Sequence, residues 1–129
     1  MMHDPLAMAL SNIKTAERTG KPQCLITPIS TVLLKVLDLM KTHGYVGSYD
    51  ILEDGRGKLL RLHLLGAIND VGAVKPRFSV SFRAFEKFEK RYLPAKDFGL
   101  LLVSTSQGIM THQEAKQKSL GGVLLSFIY

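Results

Sequence analysis

The chain has 129 residues, of which 46% are hydrophobic and 22% charged, a composition too apolar for a disordered protein and sufficient for a buried core. Its 17 basic and 11 acidic residues give a net charge of +6, which favours a polyanionic partner. A single cysteine, Cys24, excludes an internal disulfide framework and a thiolate zinc site and favours a reducing compartment. The N-terminus has no signal-peptide pattern. Because the sequence has no run of about twenty apolar residues, we expect no membrane span.

Residues 1–65 are predicted to fold in the order helix, strand, helix, strand, strand. Asp4 and Pro5 form a typical helix start, after which apolar residues recur at helical spacing. The predicted elements are a helix from Pro5 to Gly20, a strand over Gln23–Thr27, a helix from Ser30 to Gly44, and strands over Tyr45–Ile51 and Lys58–Leu65. Cys24 is interpreted as a small core residue and His43 as a helix cap, so this half shows no candidate chemistry.

A segment early in the second half alternates between apolar and polar side chains. It follows a linker over residues 66–76, which has room for one short strand. Because a strand has period two, Arg77–Arg83 is predicted as a strand with an apolar inner face. Its outer face, which suits phosphate oxygens, carries Arg77, Ser79, Ser81 and Arg83. An ordinary solvated strand face is the alternative interpretation.

Aromatic residues recur at helical spacing in the next segment, at Phe85, Phe88 and Tyr92. This spacing predicts a short helix over residues 84–92 whose aromatic stripe packs on a core. The other side chains of this helix, Glu89 among them, are mostly charged and are interpreted as a solvated face.

Two buried strands and a short helix are predicted for the rest of the chain. Gly99–Val103 is continuously apolar, which is typical of a strand covered on both faces. Thr111 and Glu114 have the spacing of a capping box, which predicts a helix over residues 112–119. A last strand is predicted over Val123–Tyr129.

The strongest candidate site is Ser104–Gly108, where hydroxyl side chains and a glycine follow the buried strand. Gln107 and Gly108 permit a tight turn with positive φ. A loop held between a strand and a helix presents backbone N–H groups and hydroxyls, which bind phosphates, 2′-hydroxyls and base edges. Lys116 and Lys118 add positive charge nearby.

Three interpretations of this segment compete. A hydrolase would use Ser104 or Ser106 with His112 as general base, but no nucleophile-elbow or phosphate-loop motif surrounds them, and the four histidines lack metal-ligand spacing. A plain connector needs no function. Nucleic-acid binding gains from the charge of residues 66–129, which carry 9 basic and 5 acidic residues against 8 and 6 in the first half. The residues thus favour binding over catalysis, without metal, other cofactor or small-molecule substrate.

The same segment carries a specific motif. The string S-T-S-Q-G-I-M begins at Ser104 and is followed by Ala115-Lys116 and Gly121-Gly122. With this spacing the string resembles a signature of the universal small-subunit ribosomal protein eight family. The resemblance extends over essentially the whole chain, since Asp4–Lys14 is similar to the family's first helix. Its eukaryotic and archaeal branch is indicated by the segments His43–Gly47, Lys75–Phe78 and Leu93–Gly99.

The resemblance implies a chain of two small α+β lobes, residues 1–65 and an RNA-reading lobe over residues 66–129. It also implies a cytoplasmic structural constituent of the small ribosomal subunit, which binds the central domain of the small-subunit ribosomal RNA beside neighbouring ribosomal proteins. An RNA-binding translational regulator that acts off the ribosome is the alternative.

The expected RNA contacts fall into three groups. The motif supplies Ser104, Thr105, Ser106 and Gly108. Phosphates are expected to be neutralised by Lys75, Arg77, Arg83, Lys116 and Lys118. In the first lobe, Lys14 stands where bacterial members have an arginine-asparagine pair, and Ser30 opens the second helix without the lysine found in many relatives; both remain candidates.

Overall fold

A computed structural model of the chain describes residues 5–27, 29–53, 55, 58–74, 77, 79–95 and 98–129. These residues form four α-helices and two antiparallel sheets, which confirms the predicted α+β class. The chain divides into two compact units, Met1–Asn69 and Asp70–Tyr129, at a point inside the predicted linker. Four residues for which the sequence makes predictions lie outside the described residues: Asp4, Pro28, Lys75 and Phe78.

The N-terminal unit contains two helices and a three-stranded sheet in the predicted order. Its elements are α1 (Pro5–Arg18), β1 (Gln23–Ile26), α2 (Thr31–Thr42), β2 (Val46–Glu53) and β3 (Lys58–Leu64). The antiparallel sheet has the order β1–β3–β2. Cys24 pairs with Leu62 in this sheet, and both are buried; burial raises the pKa of the Cys24 thiol, as expected for a core cysteine.

Both helices of this unit bury the apolar stripes predicted from their spacing. The stripes, each member of which is 2% exposed or less, consist of Leu6, Leu10 and Ile13 in α1 and of Leu33, Val36, Leu37 and Met40 in α2. Ser30 caps α2, because its Oγ accepts a hydrogen bond from the Leu33 N–H at 3.1 Å. His43 is the C-cap of the same helix, which confirms its interpretation as a capping residue.

The C-terminal unit contains a five-stranded antiparallel sheet with three short helical segments. Its elements are β4 (Val71–Ala73), β5 (Ser79–Val80), a 3₁₀ turn (Phe82–Ala84), α3 (Phe85–Tyr92), β6 (Leu100–Thr105), β7 (Gly108–Thr111), α4 (His112–Gln117) and β8 (Gly122–Ile128). The strand order is β4–β8–β6–β7, and β5 also pairs with β8. β6 is thus a central strand, flanked by β7 and β8.

The aromatic stripe of α3 packs on the core of this unit, as predicted. Phe85 is fully buried in a cluster with Leu101, Val103 and Leu124, and Phe88 packs against that cluster. Burial of residues 100–103 of β6 on both faces also confirms the interpretation of that apolar run.

The predicted strand over Arg77–Arg83 is wrong for most of its length. Among the described residues of this segment, only Ser79–Val80 pairs with β8, and the pairing ends at Val80–Gly122, where β8 itself begins. Beyond Val80 the segment has no strand to pair with, and it turns into the 3₁₀ segment. Arg77 and Arg83 are both exposed, but they do not lie on one strand face.

Gly121 and Gly122 allow β8 to begin in close contact with two neighbouring strands. A Cβ on Gly122 would lie 2.2 Å from the Ser104 carbonyl oxygen, and one on Gly121 would lie 2.6 Å from the Val80 carbonyl oxygen. Both obstacles are backbone atoms, which cannot rotate away. The two glycines of the motif therefore let the backbones of β5, β6 and β8 pack at a distance that no side chain tolerates.

Candidate nucleic-acid interface

The predicted site lies at the tip of a β-hairpin. β6 and β7 form an antiparallel ladder that closes at the Thr105–Gly108 pair, which leaves Ser106 and Gln107 as the turn residues. Short hairpin connections of this kind hold their strands in a fixed register. The motif thus occupies the closed end of a hairpin in a five-stranded sheet.

This geometry corrects the predicted connection between a strand and a helix. The buried strand does not end at Val103, because Ser104 pairs with Ile109 of β7 on one side and with Val123 of β8 on the other. The chain then returns along β7 before α4 begins, with Thr111 as its N-cap. The predicted cap is confirmed, since Thr111 Oγ1 accepts a hydrogen bond from the Glu114 N–H at 3.2 Å.

Thr105 and Gly108 determine the shape of the tip. The Thr105 hydroxyl donates to the Gly108 carbonyl oxygen at 2.8 Å and accepts from the Gln107 N–H at 3.2 Å. Gly108 has φ +116°, and a Cβ at this position would meet nothing within 4 Å. The glycine is therefore required by its backbone dihedral angle and not by lack of space.

Ser106 and Gln107 are the exposed residues of the tip, whereas Ser104 is half-buried. The Ser106 hydroxyl has no hydrogen-bond partner among the described residues, so it can bond to a ligand without breaking an internal contact. Gln107 is missing from the predicted contacts, although its side-chain amide lies in the same exposed turn as Ser106. Its position inside the motif could have identified it as a candidate contact.

The predicted cations have different surroundings. Arg77 and Arg83 are exposed, and the Arg83 guanidinium lies 5.5 Å from the centre of the Phe82 ring. Lys118 Nζ lies 3.4 Å from an oxygen of Glu114, and both side chains are about half exposed. Lys116 also forms an ion pair, but its partner Glu89 is buried.

Glu89 corrects the interpretation of α3 as a helix with a fully solvated charged face. Its side chain is 5% exposed, and its carboxylate lies against Lys116 and His112. Glu89 follows Phe85 by one helical turn, so its position on the buried stripe was visible in the spacing. Sequence reasoning missed it because an isolated charge is rarely buried.

His112 is held away from the role of general base. It is 1% exposed, its Nδ1 accepts a hydrogen bond from the Leu101 N–H at 3.1 Å, and its Nε2 lies 3.5 Å from Glu89 Oε1. Both ring nitrogens are thus occupied inside the unit, whereas Ser106 is exposed. This arrangement does not support a Ser106–His112 hydrolase, which needs the base to contact the nucleophile.

The two candidates in the N-terminal unit lie on separate helices. Ser30 uses its side-chain oxygen to cap α2, while Lys14 is partly exposed on α1. Their contact with RNA stays a prediction.

Within the described residues, features of membrane-spanning helices and of metal sites are absent. No helix within them has both the length and the apolar character needed to cross a membrane. The same part of the chain contains no group of three or more His, Cys, Asp and Glu side chains that could hold a metal ion.

Comparison with known families gives an independent result for the whole chain. A family model described as "Ribosomal protein S8" matches residues 4–129. The match covers both units, including the hairpin and the pair Gly121 and Gly122 at the start of β8.

Proposed function

We propose, since the chain belongs to the ribosomal protein S8 family, that it is a structural constituent of the cytoplasmic small ribosomal subunit and binds the central domain of the small-subunit ribosomal RNA. Membership of the family makes it a ribosomal protein that binds rRNA and serves translation, with a structural and not an enzymatic role. The proposal adds the subunit, the RNA domain and the eukaryotic and archaeal branch.

The observation that carries the proposal is the exposed hydroxyl at the end of a closed hairpin. Ser106 is exposed beside Gln107, and the turn beneath them is closed by the two hydrogen bonds of Thr105. A-form RNA hides the base edges of its major groove from side chains, so specific recognition uses 2′-hydroxyls and unpaired bases. We infer that the tip reads such groups in an irregular region of the RNA.

Affinity is assigned to the cations and specificity to the tip. Exposed Arg77, Arg83 and Lys118 are suited to neutralise phosphates and to release counterions, which favours every RNA to a similar extent. The Ser106 hydroxyl bonds only where a partner stands at the right position. These two roles predict different responses to mutation.

Ser106→Ala is expected to weaken binding to the cognate RNA by about 1–2 kcal/mol, or roughly 5- to 30-fold, because one hydrogen bond at the interface is lost. Binding to an unrelated RNA should be almost unchanged. Filter binding or fluorescence anisotropy with both RNAs measures the two affinities. Ser48→Ala, at an exposed strand serine of the N-terminal unit, is the control. Equal losses on both RNAs would show that the tip does not provide specificity.

Arg77→Ala is expected to weaken binding to both RNAs. Because one phosphate contact is lost, the slope of log K against log salt concentration should also become shallower by about one unit. Arg77→Lys, which keeps the charge, should keep the slope. Lys87→Ala removes another exposed cation of the same unit and controls for net charge. If the Arg77→Ala slope equals that of the wild type, Arg77 contacts no phosphate.

The assignment to the small subunit is tested by sedimentation of the native protein through a sucrose gradient after a high-salt wash. We expect it to remain with small subunits. Recovery in the free fraction, together with specific binding to a messenger RNA, would instead favour the translational regulator. Recovery on large subunits would contradict both.

A further inference from the structure

Three polar side chains of the C-terminal unit meet at one buried carboxylate. Glu89 of α3 is 5% exposed and His112 of α4 is 1% exposed, while the side chain of Lys116 is 38% exposed. His112 and Lys116 are one turn apart on α4, and both approach the same oxygen, Glu89 Oε1: the Lys116 ammonium forms an ion pair with it, and the His112 Nε2 lies 3.5 Å away. We call these three residues the Glu89 cluster.

The Glu89 cluster is also bonded to the strand that carries the RNA-binding hairpin. The β6–β7 ladder ends at the Leu102–Thr111 pair, so Leu101 lies one residue beyond it. The Leu101 N–H donates instead to His112 Nδ1 at 3.1 Å. The imidazole therefore takes the place of a strand carbonyl, and because its Nδ1 accepts, a neutral ring carries its proton on Nε2, toward Glu89.

We propose that the Glu89 cluster positions the β6–β7 hairpin for RNA, and that Lys116 acts through Glu89 and is not a phosphate contact. This inference rests on the proposed function. α4 follows β7 without a linker, so a carboxylate that holds α4 against α3, and a ring that holds α4 against β6, fix the base of the hairpin from two sides.

Charge balance supports this role for Lys116. A carboxylate that is 95% buried requires a cation or several hydrogen-bond donors, and Lys116 supplies that cation from α4. Moving its ammonium to an RNA phosphate would leave the Glu89 carboxylate buried without its cation. Lys118, two residues further, pairs with the partly exposed Glu114 and has no such constraint.

The closing experiment separates positioning from phosphate contact by salt dependence and by a double-mutant cycle. Lys116→Met is expected to weaken cognate RNA binding at least tenfold, to lower the ratio of cognate to random affinity, and to leave the salt slope unchanged. Glu89→Gln with Lys116→Met should recover most of that loss, because no charge remains buried. Lys116→Arg, which keeps the cation, should retain the affinity.

Lys118→Met, at the C-cap of the same helix, is the matched control, and it is expected to make the salt slope shallower. A shallower slope in Lys116→Met, with no recovery in the double variant, would identify Lys116 as a phosphate contact and overturn the inference. A purely structural role also overturns it: in that case Lys116→Met lowers the unfolding temperature, but the cognate-to-random ratio, measured where every variant is folded, does not move.

The free protein provides a readout that does not depend on RNA. Nitrogen-15 NMR of the His112 ring is expected to show the Nε2–H tautomer in the wild type, and Lys116→Met should shift the ring resonances. The Nδ1–H tautomer would contradict the cluster geometry and the inference with it. If the wild type binds no RNA, the proposed function is wrong, and the positioning inference is wrong with it. The NMR result then still reports on the geometry of the Glu89 cluster, so the two failures can be told apart.

Discussion

Gly122→Ala is expected to destabilise the C-terminal unit by about 3 kcal/mol, at the upper end of the cost of overpacking. The added Cβ would lie 2.2 Å from the Ser104 carbonyl oxygen and 2.9 Å from Val103 Cγ1. Because the first obstacle is backbone, β8 and β6 must move apart, and Ser104 moves with the base of the hairpin tip. Loss of specific RNA binding should therefore accompany the loss of stability. Denaturant unfolding and amide hydrogen exchange along β8 measure the stability, and fluorescence anisotropy measures RNA binding.

Gly20→Ala separates the effect of contact from that of backbone conformation. Gly20 has φ +75°, and the Cβ that alanine adds would meet nothing within 4 Å, so only the left-handed dihedral is penalised, at about 1 kcal/mol. It lies in the N-terminal unit and should leave RNA binding unchanged. If Gly122→Ala proved no more damaging than Gly20→Ala, the close approach of β8 to β6 would not be a requirement of the fold.

Phe85→Ala is expected to cost about 3–5 kcal/mol, the range for truncating a fully buried aromatic side chain. Phe85 is 0% exposed and packs against Leu101, Val103 and Leu124. It also begins α3, which carries Glu89 into the interior, so the substitution should reduce cognate RNA affinity even under conditions where the protein remains folded. Calorimetry gives the stability change and titration with the cognate RNA gives the affinity.

Phe98→Ala is the comparison, because the same side chain is 49% exposed at that position. Its removal should cost less than about 1 kcal/mol, since little apolar surface returns to water. Equal costs at the two positions would mean that Phe85 does not anchor the core of the unit.

The sequence alone predicts helices and their caps correctly wherever a periodic apolar pattern and the signals at its two ends agree. Both helices of the N-terminal unit bury the predicted stripes, and Ser30, His43 and Thr111 cap their helices as expected. These features depend on neighbours within one or two turns of the chain, and local spacing therefore determines them.

The errors arose where pairing with a distant strand decided the outcome. Arg77–Arg83 alternates as a strand should, but β8 begins at Gly122, so the residues that follow Val80 have no partner in it. Ser104 and Thr105 were assigned to a loop, yet β7 and β8 extend far enough to keep them in β6. Alternation of apolar and polar residues shows that a segment can form a strand. How many of its residues pair depends on the length of the neighbouring strands.

The motif, more than the chemistry of its side chains, favours RNA as the ligand of the candidate site. Physical reasoning selected Ser104–Gly108 as a binding segment, but three interpretations stayed open until the resemblance and the family match favoured RNA. The assignment of Lys116 to phosphate depended on its charge alone. The spacing of α3 places Glu89 on the buried stripe, but its pairing with Lys116, 27 residues later in the chain, is shown only by the structure.

The hydroxyl of Thr105 has a thermodynamic consequence for recognition. By satisfying a turn amide and a turn carbonyl before any ligand arrives, it reduces the conformational entropy that the backbone of the tip would otherwise lose on association. Complex formation then draws on the full enthalpy of the new contacts. If the tip binds RNA as proposed, loss of this internal closure would lower the affinity even where every contact is kept.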